Sequence, residues 1–313
     1  MEINGKKISK IAIGLSQFNN TLYAKSKVHF SKKEINRIVL KAIDKKINFF
    51  DTADNYGETE EIIGSLKNSV KDKIVISTKA GYISNNLRNF NTKYLTSKIE
   101  ESLKKLKVNY IDIFFLNKPN SSELKNNDLL NFFYKIKKRG LISKCGVIIG
   151  NNNIQNVYIK EPLIDCYSFL FNLINIGMES TLILSKKYNK INFLRSPFNS
   201  GLLTNNFHSN INYPVGDYRH SYFRGANFIK KKIKIYQLLS YLKINKNSLS
   251  RAAFSFVYKN IYADSIFFGI HNTEHLEQLY RYSKNLFSFG RSMKLIKYKI
   301  KKLDKLYPTI NQG

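Results

Sequence analysis

The chain has 313 residues, of which 43% are hydrophobic, and its formal net charge is +30 because 52 Lys and Arg residues outnumber 22 Asp and Glu residues. This length supports a sizeable core, and no stretch approaches the roughly 20 apolar residues that a membrane-spanning helix needs. The sequence therefore argues against a membrane span, and residues 1–7, which lack the apolar core of a secretory signal, predict a cytoplasmic protein.

The positive charge favours nucleic-acid binding at first sight. However, the excess is mostly Lys, and it is spread through every segment together with abundant Asn, Ile and Tyr, as an A- and T-rich genome would produce. Arg, which binds phosphates and base edges better than Lys, is scarce. We therefore expect nonspecific adhesion to polyanions and no specific nucleic-acid site.

Two cysteines, Cys145 and Cys166, each lie just inside an apolar run. Free cysteine usually packs as a small hydrophobic side chain in a reducing compartment. The cysteines and the five histidines show no spacing typical of a metal site. We predict two buried thiols and no bound metal.

Short apolar runs alternate with longer amphipathic segments along the chain. Apolar residues that recur every three or four positions predict helices, whereas short continuous apolar runs predict buried strands. We predict eight strands, at 8–15, 47–50, 74–78, 111–116, 144–149, 165–170, 191–194 and 265–268. We predict helices between and after them, at 32–46, 59–67, 93–107, 122–138, 152–159, 179–188, 228–242, 249–258, 274–283 and 291–305. A long loop is predicted at 205–227.

Eight strand–helix units at this length predict an α/β protein built as a closed (β/α)8 TIM barrel. We assign residues 1–313 to one such domain, with 291–305 as an extra C-terminal helix packed on the barrel exterior. Binding of that helix to a membrane surface is the alternative. A doubly wound open sheet is disfavoured, because its first strand is usually followed by a glycine-rich loop and only Gly14 occurs there.

Polar side chains follow three successive predicted strands. Asp51 ends the second strand and Tyr56 follows five residues later, Lys79 ends the third strand, and Asn117 ends the fourth. The carboxyl ends of barrel strands carry the catalytic residues of such folds, so we expect these four side chains to meet at one rim. A carboxylate, a phenol and an amine on one rim predict a proton-donating site.

The run NFFDTADNYG at 48–57, followed by Glu60 and Gly64, resembles the F-D-T-A-x-x-Y-G-x-S-E-x-x-G signature of the aldo-keto reductase family. The resemblance extends from residue 8 to about residue 281, and further matches are STK at 77–79, NYID at 109–112, SPF at 196–198, GLL at 201–203, and Gly269 with NTE at 272–274. It implies a nicotinamide cofactor, normally NADPH, and reversible hydride transfer to a small-molecule carbonyl substrate.

The resemblance also implies roles for individual residues. Tyr56 donates the proton, Lys79 lowers the pKa of that phenol, and Asp51 holds Lys79 in place. Arg219, in the loop after the seventh strand, is expected to clamp the cofactor pyrophosphate. The complete set of implied cofactor contacts comprises Gly14, Asn172, Arg195, Ser196, Pro197, Phe198, Gly201, Leu202, Arg219, Gly269, Asn272, His275 and Gln278.

Two departures from the family pattern leave the function open. Asn117 stands where the family usually has histidine, and an amide orients a carbonyl but does not relay protons near neutral pH; the potassium-channel beta subunits of this family also carry asparagine there. In the cofactor cradle, residues of another type replace the usual contacts at Leu15, Ile148, Ile149, Ser168, Arg195 and Leu279. The alternative to an active reductase is therefore a catalytically weakened binding or regulatory protein. We expect Ser16, Tyr23 and Tyr82 to line the substrate pocket; the substrate and the oligomeric state are not predicted.

Overall fold

The computed structural model describes residues 1–18, 31–84, 87–125, 127–150, 158–205, 213, 215 and 217–309. Eight parallel strands close into a barrel whose order follows the chain. These strands are β1 (Ile11–Gly14), β2 (Phe49–Asp51), β3 (Val75–Ala80), β4 (Ile111–Asn117), β5 (Ile142–Ile148), β6 (Cys166–Leu170), β7 (Ile191–Arg195) and β8 (Ser265–Gly269). The closed barrel confirms the predicted (β/α)8 architecture and excludes the open doubly wound sheet.

Helices connect the strands and form the outer layer. They are α1 (Lys32–Asp44), α2 (Thr59–Gly64), α3 (Asn68–Lys71), α4 (Thr92–Leu106), α5 (Ser121–Leu124), α6 (Asn127–Lys138), α7 (Glu179–Lys187), α8 (Tyr218–Tyr222), α9 (Gly225–Leu242), α10 (Leu249–Tyr258), α11 (Thr273–Lys284) and α12 (Met293–Leu306). Two small antiparallel hairpins, Glu2–Ile3 with Lys6–Lys7 and Tyr82–Ser84 with Leu87–Arg88, lie outside the barrel sheet.

Three predicted elements differ from the structure. The helix predicted at 122–138 is two helices, α5 and α6, and a capping box of Asn120 and Glu123 begins the first of them. The loop predicted at 205–227 contains α8, which Asp217 caps by accepting a hydrogen bond from the Arg219 backbone. Of the helix predicted at 152–159, residues 152–157 lie outside the described residues, and Tyr158–Lys160 form a 3-10 turn.

Aromatic side chains fill the middle of the barrel. The rings of Phe49, Phe115, Phe193 and Phe267 meet largely edge to face, with the Phe49 ring centroid 5.4 Å from Phe193 and 5.3 Å from Phe267. Edge-to-face packing is favourable because ring edges and faces carry opposite partial charges. Side chains two positions further along these strands also point into the barrel. They lie on top of this aromatic layer, at the end of the barrel where the strands finish, which we call the mouth.

The outer layer confirms the predicted C-terminal helix. In α12 the side chains of Ile296, Ile300 and Leu303 are buried, and Lys234 of α9 pairs with Asp304. This apolar stripe is the one that predicted packing on the barrel exterior. That residues 1–313 form one domain stays a prediction.

Cys145 and Cys166 are both buried and free, as predicted. Among the described residues, no helix is long and apolar enough to cross a membrane. The same part of the chain contains no group of three or more His, Cys, Asp and Glu side chains placed to hold a metal ion.

Candidate active site

An ion pair links the ends of β2 and β3. The Lys79 Nζ atom lies 2.7 Å from Asp51 Oδ2 and donates to the Thr52 carbonyl at 2.6 Å, while Ser77 Oγ donates to Asp51 Oδ1 at 2.7 Å. Asp51 and Lys79 are 8% and 3% exposed. A buried charge needs such partners, since its desolvation costs several kcal/mol. The ammonium group is therefore fixed at one position on the rim.

Tyr56 lies beside this ammonium group. The Lys79 Nζ atom is 4.6 Å from the centroid of the Tyr56 ring, and the Tyr56 residue is 9% exposed. A turn after β2 carries the tyrosine, with its backbone N–H donating to the Ala53 carbonyl. The structure thus brings together the carboxylate, amine and phenol that were expected to meet.

Hydrogen bonds at both ends of the Tyr56 loop fix it to the barrel. The hydroxyl oxygens of Thr52 and Thr59 lie 2.5 Å apart, and Thr78 Oγ1 donates to Glu60 Oε1 at 2.7 Å. Asp54, in the same loop, has its pKa raised to about 6, mainly by burial and secondly by the charge of Glu60. Sequence reasoning missed Asp54, although it lies within the quoted motif.

Asn117 lies at the end of β4 and is 4% exposed. It follows Ile113 and Phe115 at alternate positions, and both of those side chains belong to the inner core of the barrel. Asn117 therefore belongs to the inward-facing row of β4, at the same rim as Asp51 and Lys79.

The adjoining part of the mouth has two neighbouring positions without side chains. Gly14 of β1 and Gly269 of β8 are register partners, and both continue the inward-facing rows of Ala12 and Phe267. A Cβ atom added at Gly269 would meet nothing closer than Gln17 Cγ at 3.6 Å. This sector of the rim therefore leaves space that a ligand can fill.

Two buried polar atoms border the mouth without a hydrogen-bond partner in the described part of the chain: Ser168 Oγ and Gln17 Oε1. Ser168 follows Cys166 in the inward-facing row of β6. Buried polar groups are nearly always bonded, so both atoms are available to bond a polar ligand. A carboxamide, which has donors and an acceptor, has the chemistry to bond either of them. Sequence reasoning had noted Ser168 as a replacement and missed Gln17, whose signal is its position in the loop three residues after β1.

The segment after β7 contains several predicted cofactor contacts. Asn172, fully buried, donates from Nδ2 to the Ser196 carbonyl at 3.1 Å, so it fixes this segment to the end of β6. Gly201 has a φ of +96°, which favours glycine. Pro197 lies between Ser196 and Phe198. The Phe198 ring packs 5.6 Å from Phe268, and the Leu202 side chain is buried.

The structure brings Arg219 close to the first turn of α11. Its guanidinium donates to both oxygens of Asp217 and lies 4.2 Å from the Tyr213 ring centroid. The pKa of His271 is lowered to about 4 by burial first, then by the charges of His275 and Arg219.

The α11 residues have the following places. Asn272 caps the helix by accepting a hydrogen bond from the His275 backbone at 2.8 Å, and Gln278 follows one turn later.

Arg195, at the end of β7, donates from Nη2 to the Ile149 carbonyl at 2.7 Å. Of the expected pocket residues, Tyr82 is buried, Ser16 is half-buried, and Tyr23 lies outside the described residues. The roles assigned to these residues stay predictions.

Comparison with known proteins identifies the family. The model of the aldo/keto reductase family matches residues 10–299 of this chain. The chain belongs to the aldo/keto reductase family. Members of this family are oxidoreductases that act on carbonyl groups with a nicotinamide cofactor.

Curated relatives match only parts of this aldo/keto reductase. The uncharacterized oxidoreductase YqkF of Bacillus subtilis (strain 168) is 29% identical over 174 residues, which span 53% of this chain and 56% of that protein. The L-glyceraldehyde 3-phosphate reductase of Escherichia coli (strain K12) is 37% identical over 103 residues, 28% of this chain and 29% of that protein.

A solved structure confirms the fold along the whole chain. The glycerol dehydrogenase AKR11B4 from Gluconobacter oxydans superposes with a TM-score of 0.73 at 19% sequence identity, covering 100% of this chain and 98% of the other. At this identity the likeness establishes the fold alone.

Proposed function

We propose that the protein is an NADPH-dependent reductase of an aldehyde, ketone or sugar carbonyl, with Tyr56 as the proton donor. The observation that carries this proposal is the position of the Lys79 ammonium group, 2.7 Å from Asp51 and 4.6 Å from the Tyr56 ring centroid. A bound nicotinamide would supply the hydride. The chain's own residues manage the negative charge that then develops on the carbonyl oxygen.

Tyr56 and Lys79 act together on that charge. A free phenol has a pKa of about 10 and is a weak acid at neutral pH. The nearby ammonium stabilises the phenolate and so makes Tyr56 a better acid. Asp51 keeps Lys79 in position through a hydrogen-bonded pair, and the side-chain amide of Asn117 orients the carbonyl by donating to its oxygen.

Residues around β1, β6 and β8, together with Arg219, would hold the cofactor. Ser168 Oγ and Gln17 Oε1 would bond the carboxamide of the nicotinamide. Gly14 and Gly269 leave space for the ring, and Arg219, near His271 and His275, would hold phosphate groups.

Replacing Tyr56 by Phe tests the proton donor. We expect the Y56F variant to lose NADPH oxidation with a panel of aldehydes by about 100-fold or more, the scale of general acid catalysis, while still binding NADPH by fluorescence titration. Y258F is the control, because Tyr258 is a half-buried tyrosine at the last residue of α10, in the outer layer of the barrel. Turnover in Y56F near the wild-type rate would remove Tyr56 from this role.

A binding or regulatory protein on the same scaffold is the second candidate. Ile148 and Leu279 are buried apolar side chains in the cofactor region and supply no hydrogen bonds there. Calorimetric titration with NADPH and NADH, at low and at higher salt, separates the two functions. Absence of saturable nucleotide binding together with absence of turnover would favour the second candidate.

A further inference from the structure

Lys118 projects from the end of β4, directly after Asn117, with an unusual backbone. Its φ is +60°, a left-handed conformation that non-glycine residues rarely adopt. At Lys107 and Lys243 the same conformation ends a helix, but Lys118 follows a barrel strand. Backbone strain of this kind is concentrated at functional sites.

A second cation, the exposed Arg88, belongs to the small hairpin whose Tyr82 ring contacts Lys118. Arg88 and Tyr82 are register partners in the small hairpin after β3, and the Lys118 Nζ atom lies 5.4 Å from the Tyr82 ring centroid. The Tyr82 carbonyl accepts a hydrogen bond from Asn55 at 3.2 Å, immediately before Tyr56 in the chain. The hairpin therefore places Lys118 and Arg88 on the side of the mouth that carries the proton donor.

Arg195, at the end of β7, bonds the chain next to Lys118, because a Cβ atom added at Gly150, directly after Ile149, would lie 3.5 Å from Lys118 Cβ. It continues the inward-facing row of Ile191 and Phe193, and Ile149 fixes its guanidinium. Burial and the positive charges of Arg195 and Arg88 lower the pKa of Lys118 to about 7. Three elements therefore contribute positive charge to one part of the mouth, and such a charge distribution attracts an anion.

We infer that the carbonyl substrate bears a phosphate group, which Lys118, Arg195 and Arg88 bind at the mouth of the barrel. The inference rests on the proposed reductase function and adds the chemical class of its substrate. Two guanidinium groups and an ammonium suit an oxyanion with several acceptor oxygens, so phosphate is favoured over carboxylate. The site is distinct from the region of Arg219 and His271, which is formed by α8 and the segment after β8.

Paired substrates test the inference. We measure kcat/KM for glyceraldehyde 3-phosphate against glyceraldehyde, and for succinic semialdehyde against butyraldehyde, with NADPH at moderate salt. We expect the phosphate to raise kcat/KM about 10- to 100-fold, as hydrogen bonds to charged groups do, and the carboxylate to raise it less. Equal values for glyceraldehyde and its phosphate would overturn the inference, and a larger gain for the carboxylate would overturn its choice of phosphate.

Variants at Lys118 identify the responsible group. K118M should lower kcat/KM for the phosphorylated aldehyde about tenfold more than for glyceraldehyde, and K118R should restore the preference. K138M is a control with the same charge change, because Lys138 is exposed at the last residue of α6, at the far end of the barrel. An equal decrease in kcat/KM for both aldehydes in K118M would contradict a phosphate site. So would a decrease in kcat/KM that only matches the decrease in NADPH affinity.

The pH dependence gives a second readout. Lys118 is charged below its pKa, so the wild-type preference for the phosphate should fall as the pH rises from 7 to 9, whereas that of K118R should stay constant. The phosphate itself, with a pKa of about 6, remains a dianion over this range. An identical pH dependence in both proteins would exclude Lys118 as the titrating group.

A binding measurement separates this inference from the proposed function. Glycerol 3-phosphate carries the anion but has no carbonyl to reduce, and glycerol is its uncharged control. Saturable calorimetric binding of glycerol 3-phosphate that weakens in K118M would establish the phosphate site even if no aldehyde were turned over. Failure of wild-type protein to bind it would overturn the phosphate site even if neutral aldehydes were reduced.

Discussion

The two sides of the barrel mouth differ in whether the polar side chains in the inward-facing rows of their strands are bonded. At the ends of β2 and β3, Asp51 and Lys79 are buried but satisfied by each other, by Ser77 and by a backbone carbonyl. Around β1, β6 and β8, Ser168 Oγ and Gln17 Oε1 lack partners within the described residues, and Gln17 lies next to Gly269, which has no side chain. The first side, which we call the donor side, has its ion pair assembled before any ligand arrives. The second, which we call the ligand side, has polar atoms that a ligand would bond.

This difference in hydrogen bonding predicts which side of the mouth affects catalysis and which affects cofactor binding. A preassembled donor needs no reorganisation when charge develops on the substrate. A side with unbonded polar atoms loses stability in the free protein and regains it when a ligand bonds them. Changes on the first side should therefore act mainly on turnover, and changes on the second mainly on cofactor affinity.

Removing the amine of the donor side should have the largest effect. We expect K79M to reduce kcat about 100-fold or more, because the phenol loses its adjacent charge. It should also lower the free energy of unfolding by about 3 to 5 kcal/mol, since Asp51 is left as a buried charge without its ion partner. The double variant D51N/K79M should recover stability in urea unfolding without recovering turnover; recovered turnover would contradict the role of Lys79.

Removing the unbonded hydroxyl of the ligand side should have an intermediate effect of a different kind. We expect S168A to raise the Kd for NADPH about fivefold, the value of one neutral hydrogen bond, without lowering the melting temperature of the free protein. Ser265 is a matched control, because it is equally buried in β8 but its hydroxyl donates to the Ser9 carbonyl at 2.8 Å. S265A should show the reverse, with lower stability and unchanged affinity. Loss of stability in S168A would mean that its hydroxyl is bonded in the free protein.

The smallest expected effect belongs to Asp54, on the donor side. Its folded-state pKa of about 6 is above the value of 3.8 for an unperturbed aspartate, so ionisation opposes folding. The stability cost appears as the pH rises from 4 to 6 and is constant above that. We expect D54N to be more stable than the wild type by about 1 kcal/mol at pH 7.5, after discounting for solvent screening, and equally stable at pH 4. A constant difference across that range would contradict the shifted pKa.

Much of the donor side could be predicted from the sequence, because local patterns encode it. Asp51, Lys79 and Asn117 each follow an apolar run that forms a strand, and parallel strands end at one rim. The barrel itself followed from the regular alternation of strands and helices. The break between α5 and α6 was not predicted, because the helical periodicity runs continuously across it.

The ligand side depends on how strands far apart in the chain come together. The pairing of β1 with β8 joins residues more than 250 positions apart, as in the partners Gly14 and Gly269. That Ser168 Oγ and Gln17 Oε1 have no partner among the residues the structure describes is a property of the closed barrel and has no sequence pattern. Lys118 was visible beside Asn117, but its grouping with Arg88 and Arg195 depends on the hairpin after β3 and on the end of β7.

The two buried cysteines provide a convenient background for chemical labelling. Burial raises the pKa of both the Cys145 and the Cys166 thiols, so maleimide reagents, which attack the thiolate, should modify neither at neutral pH. A cysteine introduced at Val215, which is 81% exposed in the segment before α8, would then be the one fast-reacting thiol. A dye attached there would report directly on whether nucleotide changes the surroundings of Arg219.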